Sequence, residues 1–337
     1  VSSGHLSQIA DWMELKAIHS RLRQATESDL RGMLDLQDDS ADVQDQSELD
    51  ERAEGIIDSV FDELGHRRLA AGSGYPFELN DWATSLKTCR DGLSTAHNVY
   101  LFCLLVSQLR YKALIASAVF DDFEDAVPEL FQQCSNVAAG AFVSGQSMSF
   151  GSPRPDHSGF LQALQETYRR LGEGTPVLQA PTGVSTQTKD GGVDIIAWRP
   201  WPDRLPGKLY LVGQCASGRN WRSKSVMGAL PAFHGDWFTS LPSSPPIAAM
   251  FIPFPAERDY APRSGTAYAD ERHGFYHSQT RAMGLILDRF RISMLVDRAL
   301  HRSGDDASTT NGIDDLGCLV AWVDVILGRM RDEAHET

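Results

Sequence analysis

Two residues pose the chemical question in this chain, Asp194 and Gln214. Asp194 closes the run Lys189-Asp190-Gly191-Gly192-Val193-Asp194 and opens the apolar stretch Ile195-Ile196-Ala197-Trp198. Gln214 lies near the end of a second apolar stretch, Leu209-Tyr210-Leu211-Val212-Gly213-Gln214-Cys215. Each stretch reads as a short strand with one oxygen-bearing side chain at the edge of the core. The intervening Arg199–Gly207 segment, rich in proline, reads as a turn, so the two strands form a hairpin. Asp194 and Gln214 side by side could share one hard divalent cation, which accepts carboxylate, amide and backbone oxygens. The bland alternative is a tight turn with Asp194 at its rim and Gln214 satisfying a backbone group.

The segment that follows, Ser217-Gly218-Arg219-Asn220-Trp221-Arg222-Ser223-Lys224, is locally basic and rich in hydroxyls. Arg219, Arg222 and Lys224, with Ser217 and Asn220, suit phosphate contacts. Trp221 suits either base stacking or core packing, and burial statistics favour the core. Asp288-Arg289-Phe290-Arg291 reads as an ion-paired helix face. His97 reads as a cap or surface residue, and His234, His273 and His277 are too dispersed to suggest zinc. There is no phosphate-binding Gly-rich loop ending in Lys, no nucleophile elbow and no His-Glu-x-x-His.

The elements that must position these groups follow from periodicity. Helical spacing predicts helices over 6–18, from 26 through 34, over 49–64, over 81–91 and over 95–120. Further helices are expected over 121–137, 160–171, 226–238 (interrupted by Pro231), 277–301 and 314–331. Gln37–Asp50 is acidic and reads as a solvated loop. Segments 65–76, 145–155 and 303–311 read as loops. Ile247–Pro253 reads as a buried strand. The fold class expected is α/β (α+β): a small mixed sheet between helices, an α-rich N-terminal region over 1–120 and C-terminal helices closing a domain over 121–337.

The chain has 337 residues and a formal net charge of −14, enough for a large core and against a surface that is basic throughout. Five scattered cysteines without Cys-x-x-Cys spacing point to reduced thiols in the cytoplasm rather than to zinc or a disulfide framework. The start at Val1 is expected to be a processed or cloned boundary, with no signal peptide before Leu6. The most apolar window, 99–120, is interrupted by Gln108, Arg110 and Lys112, so no membrane span is expected.

The Asp-Gly-Gly-Val-Asp-Ile-Ile run, followed by a strand ending in Gln-x-x, resembles the catalytic core of the PD-(D/E)xK nuclease superfamily. Within it, the pattern is most similar to Mrr-like restriction endonucleases, which carry an Asp…Gln-x-Lys motif. The resemblance covers roughly residues 120–260. It implies a restriction-endonuclease-like core that cuts nucleic acid, DNA before RNA, with Mg²⁺ or Mn²⁺, in bacterial restriction or anti-phage defence. The N-terminal helices would then serve target recognition, dimerisation or docking of a protein partner. By the same resemblance Asp194 is the metal-binding acid and Gln214 the second ligand. Glu124 is the first choice for an acid on the preceding helix, with Glu129 and Glu166 as alternatives. The motif's lysine is replaced: its position is Ala216. Three readings stand, namely natural loss of catalysis, migration of the lysine to Lys224, and an engineered substitution. A nuclease-fold subunit that only binds nucleic acid or scaffolds a complex is the alternative from another class. An all-helical interaction protein with a small inserted sheet is a third.

Overall fold

Four consecutive apolar residues, Ile195–Trp198, form a strand in which every side chain is buried. Such a run has no polar face, so both sides of its sheet must be covered. The computed structural model shows how. It describes residues 3–38, 46–82, 84–89, 92–111, 117–151, 154, 158–183, 191–257, 268–302 and 312–336. The expected loop over 303–311 and positions 189 and 190 of the first strand lie outside the described residues.

The order is α1 (Ser3–His19), β1 (Gln24–Thr26), α2 (Glu27–Asp38), α3 (Gln46–Ala71), β2 (Phe77–Leu79), β3 (Ser85–Thr88) and α4 (Thr95–Tyr111). Then come α5 (Val127–Val143), β4 (Gln146–Ser149), α6 (Phe160–Leu171), β5 (Thr175–Pro176), β6 (Ile195–Trp198) and β7 (Tyr210–Cys215). The chain continues through α7 (Val226–Trp237), β8 (Phe238–Ser240), β9 (Ile247–Phe251), α8 (Tyr268–Met283), β10 (Leu285–Leu287), α9 (Arg289–Leu300) and α10 (Leu316–Glu336). The fold is mixed α+β. Its central sheet has the order β10-β9-β7-β6-β4. β4, β6 and β7 run antiparallel in succession, and β9 and β10 add on parallel.

Helices cover both faces of that sheet. Ile195, Ala197, Leu211, Ala249 and Phe251 join a large core with α1, α3, α4, α5, α9 and α10. Ile196, Trp198, Tyr210 and Val212 pack instead on Phe160, Leu164 and Tyr168 of α6 and Phe233 and Trp237 of α7. The large core includes residues from Leu6 to Met330 and does not break at position 120. Among the described residues no helix is long and apolar enough to cross a membrane.

Several expected elements are corrected. The helix expected over 81–91 contains β3, paired antiparallel with β1 and β2. Its hairpin is set by Asn80, whose side-chain oxygen accepts from the backbone of Thr84 and Ser85. The loop expected over 145–155 contains edge strand β4, whose polar Gln-Ser-Met-Ser sequence hides a pairing supplied by β6. The helix expected over 277–301 is split by β10, entered through Gly284 at φ 84°. The helix expected to open at Asp121 starts at Val127. The acidic loop over 37–50 is partly helix: α2 ends at Asp38 and α3 begins at Gln46. α3 also continues through Gly65 to Ala71.

What draws α3 onward is Arg67. Its guanidinium is fully buried, 2.8 Å from Asp11, 3.0 Å from Glu14 and 2.9 Å from Glu63. Arg289 at the head of α9 reaches Asp11 at 2.6 Å, so it is a core residue and not part of a surface ion-paired face. Arg272 binds Glu63 at 2.9 Å and also holds Glu257. Burial opposes ionisation of Glu63, but Arg272 and Arg67 outweigh it and keep that carboxyl below its ordinary range. At Glu257 burial wins against Arg272, and the carboxyl is raised.

Removing Arg67 leaves three buried acids short of a partner. Arg67→Met is therefore expected to lower unfolding free energy by about 3–5 kcal/mol, read by urea denaturation. The Glu257 shift has the opposite pH signature to that of a paired acid. Below about pH 4.3 its proton is present in folded and unfolded chains alike. As the pH rises further the unfolded chain gains by ionising and the folded chain does not, until the raised value is reached, so stability falls across that window. Glu257→Gln should raise the urea midpoint at neutral pH and leave it unchanged near pH 4. A variant less stable than the parent at pH 7 would refute this assignment.

Candidate functional site

The site forms where the β6–β7 ladder stops. Its last regular pair is Ile195 with Gly213. Before it, Gly191 and Gly192 take φ values of 63° and 81°, a left-handed turn that side-chain-bearing residues rarely adopt. That turn delivers Asp194 to the end of β6. The Asp194 backbone N–H donates to Gly213 O at 2.8 Å, and its carbonyl accepts from Phe150 and Gly151 at 2.6 and 2.9 Å. Its carboxylate Oδ2 accepts the N–H of Cys215 at 2.7 Å, replacing a backbone acceptor of the ladder. One carboxylate oxygen is thus structural, as the bland reading of this turn has it.

The other oxygen meets a residue that sequence reasoning missed. A methyl group on Gly151 would lie 2.7 Å from Asp194 Oδ1 and 2.5 Å from Gln132 Oε1. The Gln132 amide, from the second turn of α5, and the Asp194 carboxylate therefore converge over the Gly151 backbone, where a β-carbon would force those side-chain ends to shift. Gln132 Nε2 donates to Ser149 Oγ on β4, and both ends of its amide face this point, Oε1 at 2.5 Å and Nε2 at 2.9 Å from the β-carbon position. An amide has no spacing signature, so nothing in the sequence marked Gln132. The one available clue was Gly151 itself, in a segment read only as a loop.

The expected acids are elsewhere engaged. Glu124 precedes α5 and pairs with Arg110 of α4. Glu129 accepts a hydrogen bond from Gln133. Glu166 is exposed on α6, where hydrogen bonds from Arg169 and Arg170 pull it down to about 2. Among the described residues no three of His, Cys, Asp or Glu gather as a metal cluster. Gln214 lies in parallel register with Met250. Strand alternation puts it with Ala216 and Met250, on the face opposite Cys215, which packs against the large core. Asp194 thus stands at the sheet end, with Gln132 approaching from the α5 side and Gln214 on the α7 side. Burial and the neighbouring Asp194 carboxylate push the Cys215 thiol up, so it is not a nucleophile at neutral pH.

Ala216 is 1% exposed and packs with Trp221, Met250, Ile252 and Phe254. Trp221 is fully buried, so the base-stacking role is corrected to core packing. Arg222 stacks on Trp221 with its guanidinium 4.5 Å from the ring centroid and donates to Ala256 O, which commits it internally. Arg219 lies over Tyr111 and is exposed, as are Asn220 and Lys224, while Ser217 is half-buried. Lys224 directly precedes Ser225, the N-cap of α7. Ala229 of that helix packs 3.3 Å from where a Gly192 side chain would start. Lys224 therefore stands at the head of the helix that braces the Asp194 turn.

The donor set offered to a cation is one carboxylate oxygen and one or two amide oxygens. That is hard-oxygen chemistry and fits a Mg²⁺ or Mn²⁺ ion that completes its shell with water. Gly151→Ala should keep the fold, because the atoms it meets are side-chain ends, but should push Gln132 and Asp194 apart. Mn²⁺ affinity by titration calorimetry is expected to fall about tenfold or more, with an unchanged circular dichroism spectrum. Unaltered Mn²⁺ binding would exclude this point as the metal position. Compared with protein-family models, curated proteins and solved structures, the chain finds no match in any of the three, so the site is read from its own geometry.

Proposed function

We propose that the chain is a metal-dependent endonuclease of the PD-(D/E)xK, Mrr-like type, hydrolysing nucleic-acid phosphodiesters, DNA in the first place. The observation that carries this reading is the convergence of Asp194 Oδ1 and Gln132 Oε1 over Gly151, at the end of the strand where the resemblance puts its metal-binding acid. The mixed sheet with α7 between β7 and β9 supports it further. A divalent cation held by Asp194 and Gln132, with Gln214 as a third donor, would polarise a phosphate oxygen and lower the pKa of a bound water. Asp194 is oriented for this by Cys215 N–H, Gln132 by Ser149, and water is excluded beneath them by Phe150 and Val193. Lys224, exposed at the head of α7, is the candidate to take the charge-stabilising role of the missing lysine.

A second reading has its own observation. The position of the family lysine, Ala216, is sealed in an apolar cluster, and among the described residues no group of three His, Cys, Asp or Glu gathers as a metal cluster. That arrangement suits a nuclease-fold subunit that binds nucleic acid without cutting it.

The two are separated by incubating plasmid DNA and total RNA with the chain and Mg²⁺ or Mn²⁺. The nuclease reading expects nicking that Asp194→Ala abolishes and Lys224→Ala lowers about a hundredfold. Silence from the parent chain with both metals, together with retained binding, would replace it by the scaffold reading. Activity that appears only in Ala216→Lys would identify a nuclease disabled at one position.

A further inference from the structure

Far along the sequence from Asp194, an open cavity of about 1020 Å³ is lined by Lys16, His19, Arg21, Arg23 and Arg331. Among the described residues no acid lines it, in a chain whose formal net charge is −14. The cations arrive from three places: the last turn of α1, the loop to β1, and the C-terminal half of α10. Lys16 and His19 have a local explanation, since cations suit the carbonyl end of a helix. Arg21, Arg23 and Arg331 have none. All three are exposed, and among the described residues they make no ion pair. Lys16 alone has a carboxylate nearby, Asp29 at 3.5 Å, itself engaged by Thr26.

The assembly is built. His19 Nε2 donates to Met330 O at 2.8 Å, fixing the end of α1 to α10 and placing Arg331 beside it. Arg23 holds a left-handed φ of 53°, unusual for a residue with a branching side-chain atom, and its carbonyl is anchored by Thr88 N–H at 3.1 Å. The loop therefore presents Arg21 and Arg23 from a fixed backbone. Like charges gathered with one counter-charge, Asp29 beside Lys16, repel one another, and a bound polyanion relieves that repulsion.

We propose that this cavity is a sequence-independent docking site for the phosphodiester backbone of nucleic acid. The lining carries no Phe, Tyr or Trp for a base to stack on, so phosphates rather than bases are its natural ligand. Its openness and its spread over two elements suit an extended polyanion better than an enclosed nucleotide. The choice of nucleic acid among phosphate sources rests on the nuclease reading. The binding itself needs neither Asp194 nor a metal.

The test is fluorescence anisotropy of a short duplex of arbitrary sequence, in EDTA, with salt varied from about 50 to 200 mM. The parent chain and Asp194→Ala should bind alike, which separates this site from the catalytic one. The triple variant Arg21→Gln, Arg23→Asn, Arg331→Gln should lower the log–log salt slope by about 2.7, close to 0.9 for each lost contact, and weaken binding at least tenfold at low salt. Asn is used at 23 because it tolerates the left-handed backbone, and an unchanged thermal midpoint shows that the variant is folded. Inorganic tripolyphosphate should compete with the duplex for the parent chain. An unchanged slope in the folded triple variant, or no duplex binding by the parent chain at low salt, would overturn the proposal. So would binding of phosphatidylserine vesicles in place of the duplex, which would make this a lipid-headgroup site. Loss of cleavage with intact, salt-sensitive binding would overturn the nuclease reading alone.

Discussion

The buried guanidinium of Arg67 is the constraint on which the rest of this structure depends. It joins α3, its own helix, to Asp11 and Glu14 of α1 and brings the network within reach of Arg289 on α9 and Arg272 on α8. An isolated buried charge costs several kcal/mol, so each charge in the network needs an opposite charge close by. Three arginines, Arg67, Arg272 and Arg289, meet the carboxyl groups of Asp11, Glu14, Glu63 and Glu257, and burial raises Glu257 above its ordinary range. Tyr75 and Tyr100 donate to Glu14 and Gln108 donates to Asp11, filling remaining acceptor positions. Two Arg289 nitrogens lack hydrogen-bond partners, and the Tyr100 and Phe290 rings, 5.0 and 5.4 Å from the guanidinium carbon, offer cation–π contact instead.

That network fixes the sheet indirectly. α9 follows β10 after a single residue, Asp288, which caps the helix by accepting Arg291 N–H. Holding Arg289 in the core therefore holds β10 against β9, and β9 against β7. α5, packed against α9 and lying over β4 and β6, then brings Gln132 to Gly151. A position at the sheet end is in this way set by helices from the opposite end of the sequence. The continuous large core, from Leu6 to Met330, is the packing counterpart of the same linkage.

How much of this could be read beforehand depended on the range of the determining interaction. The Ile195–Trp198 and Ile247–Phe251 strands were legible because their apolar runs report burial directly. The hairpin between β6 and β7 was legible from its proline-rich turn. β3, β4 and β10, three or four residues each, were not, because so short a strand has no period and takes its conformation from its partner. Arg67 was legible only as the second half of an i, i+4 pair with Glu63. Its burial depends on Asp11, 56 residues away. Gln132 failed for the same reason: an amide gains chemical meaning only when a distant backbone brings a carboxylate beside it. Trp221 could be read either way, and core packing claimed it.

Charge distribution ties the remaining features together. The buried network pairs its acids with three arginines, so most of the excess acid behind the net charge of −14 falls on the surface. Most of that surface repels a nucleic-acid backbone, and the repulsion extends about 8 Å at physiological salt. Association is then confined to the places where cations outnumber acids locally. Two such places among the described residues are the Arg219–Lys224 segment, where Arg219 and Lys224 are exposed, and the cavity lined by Arg21, Arg23 and Arg331. A duplex engaging either one alone gains few contacts against a repulsive background. One engaging both gains the second contact at high effective concentration. On the nuclease and docking proposals, an acidic chain with two separated basic footholds would favour long or suitably bent polyanions over short ones.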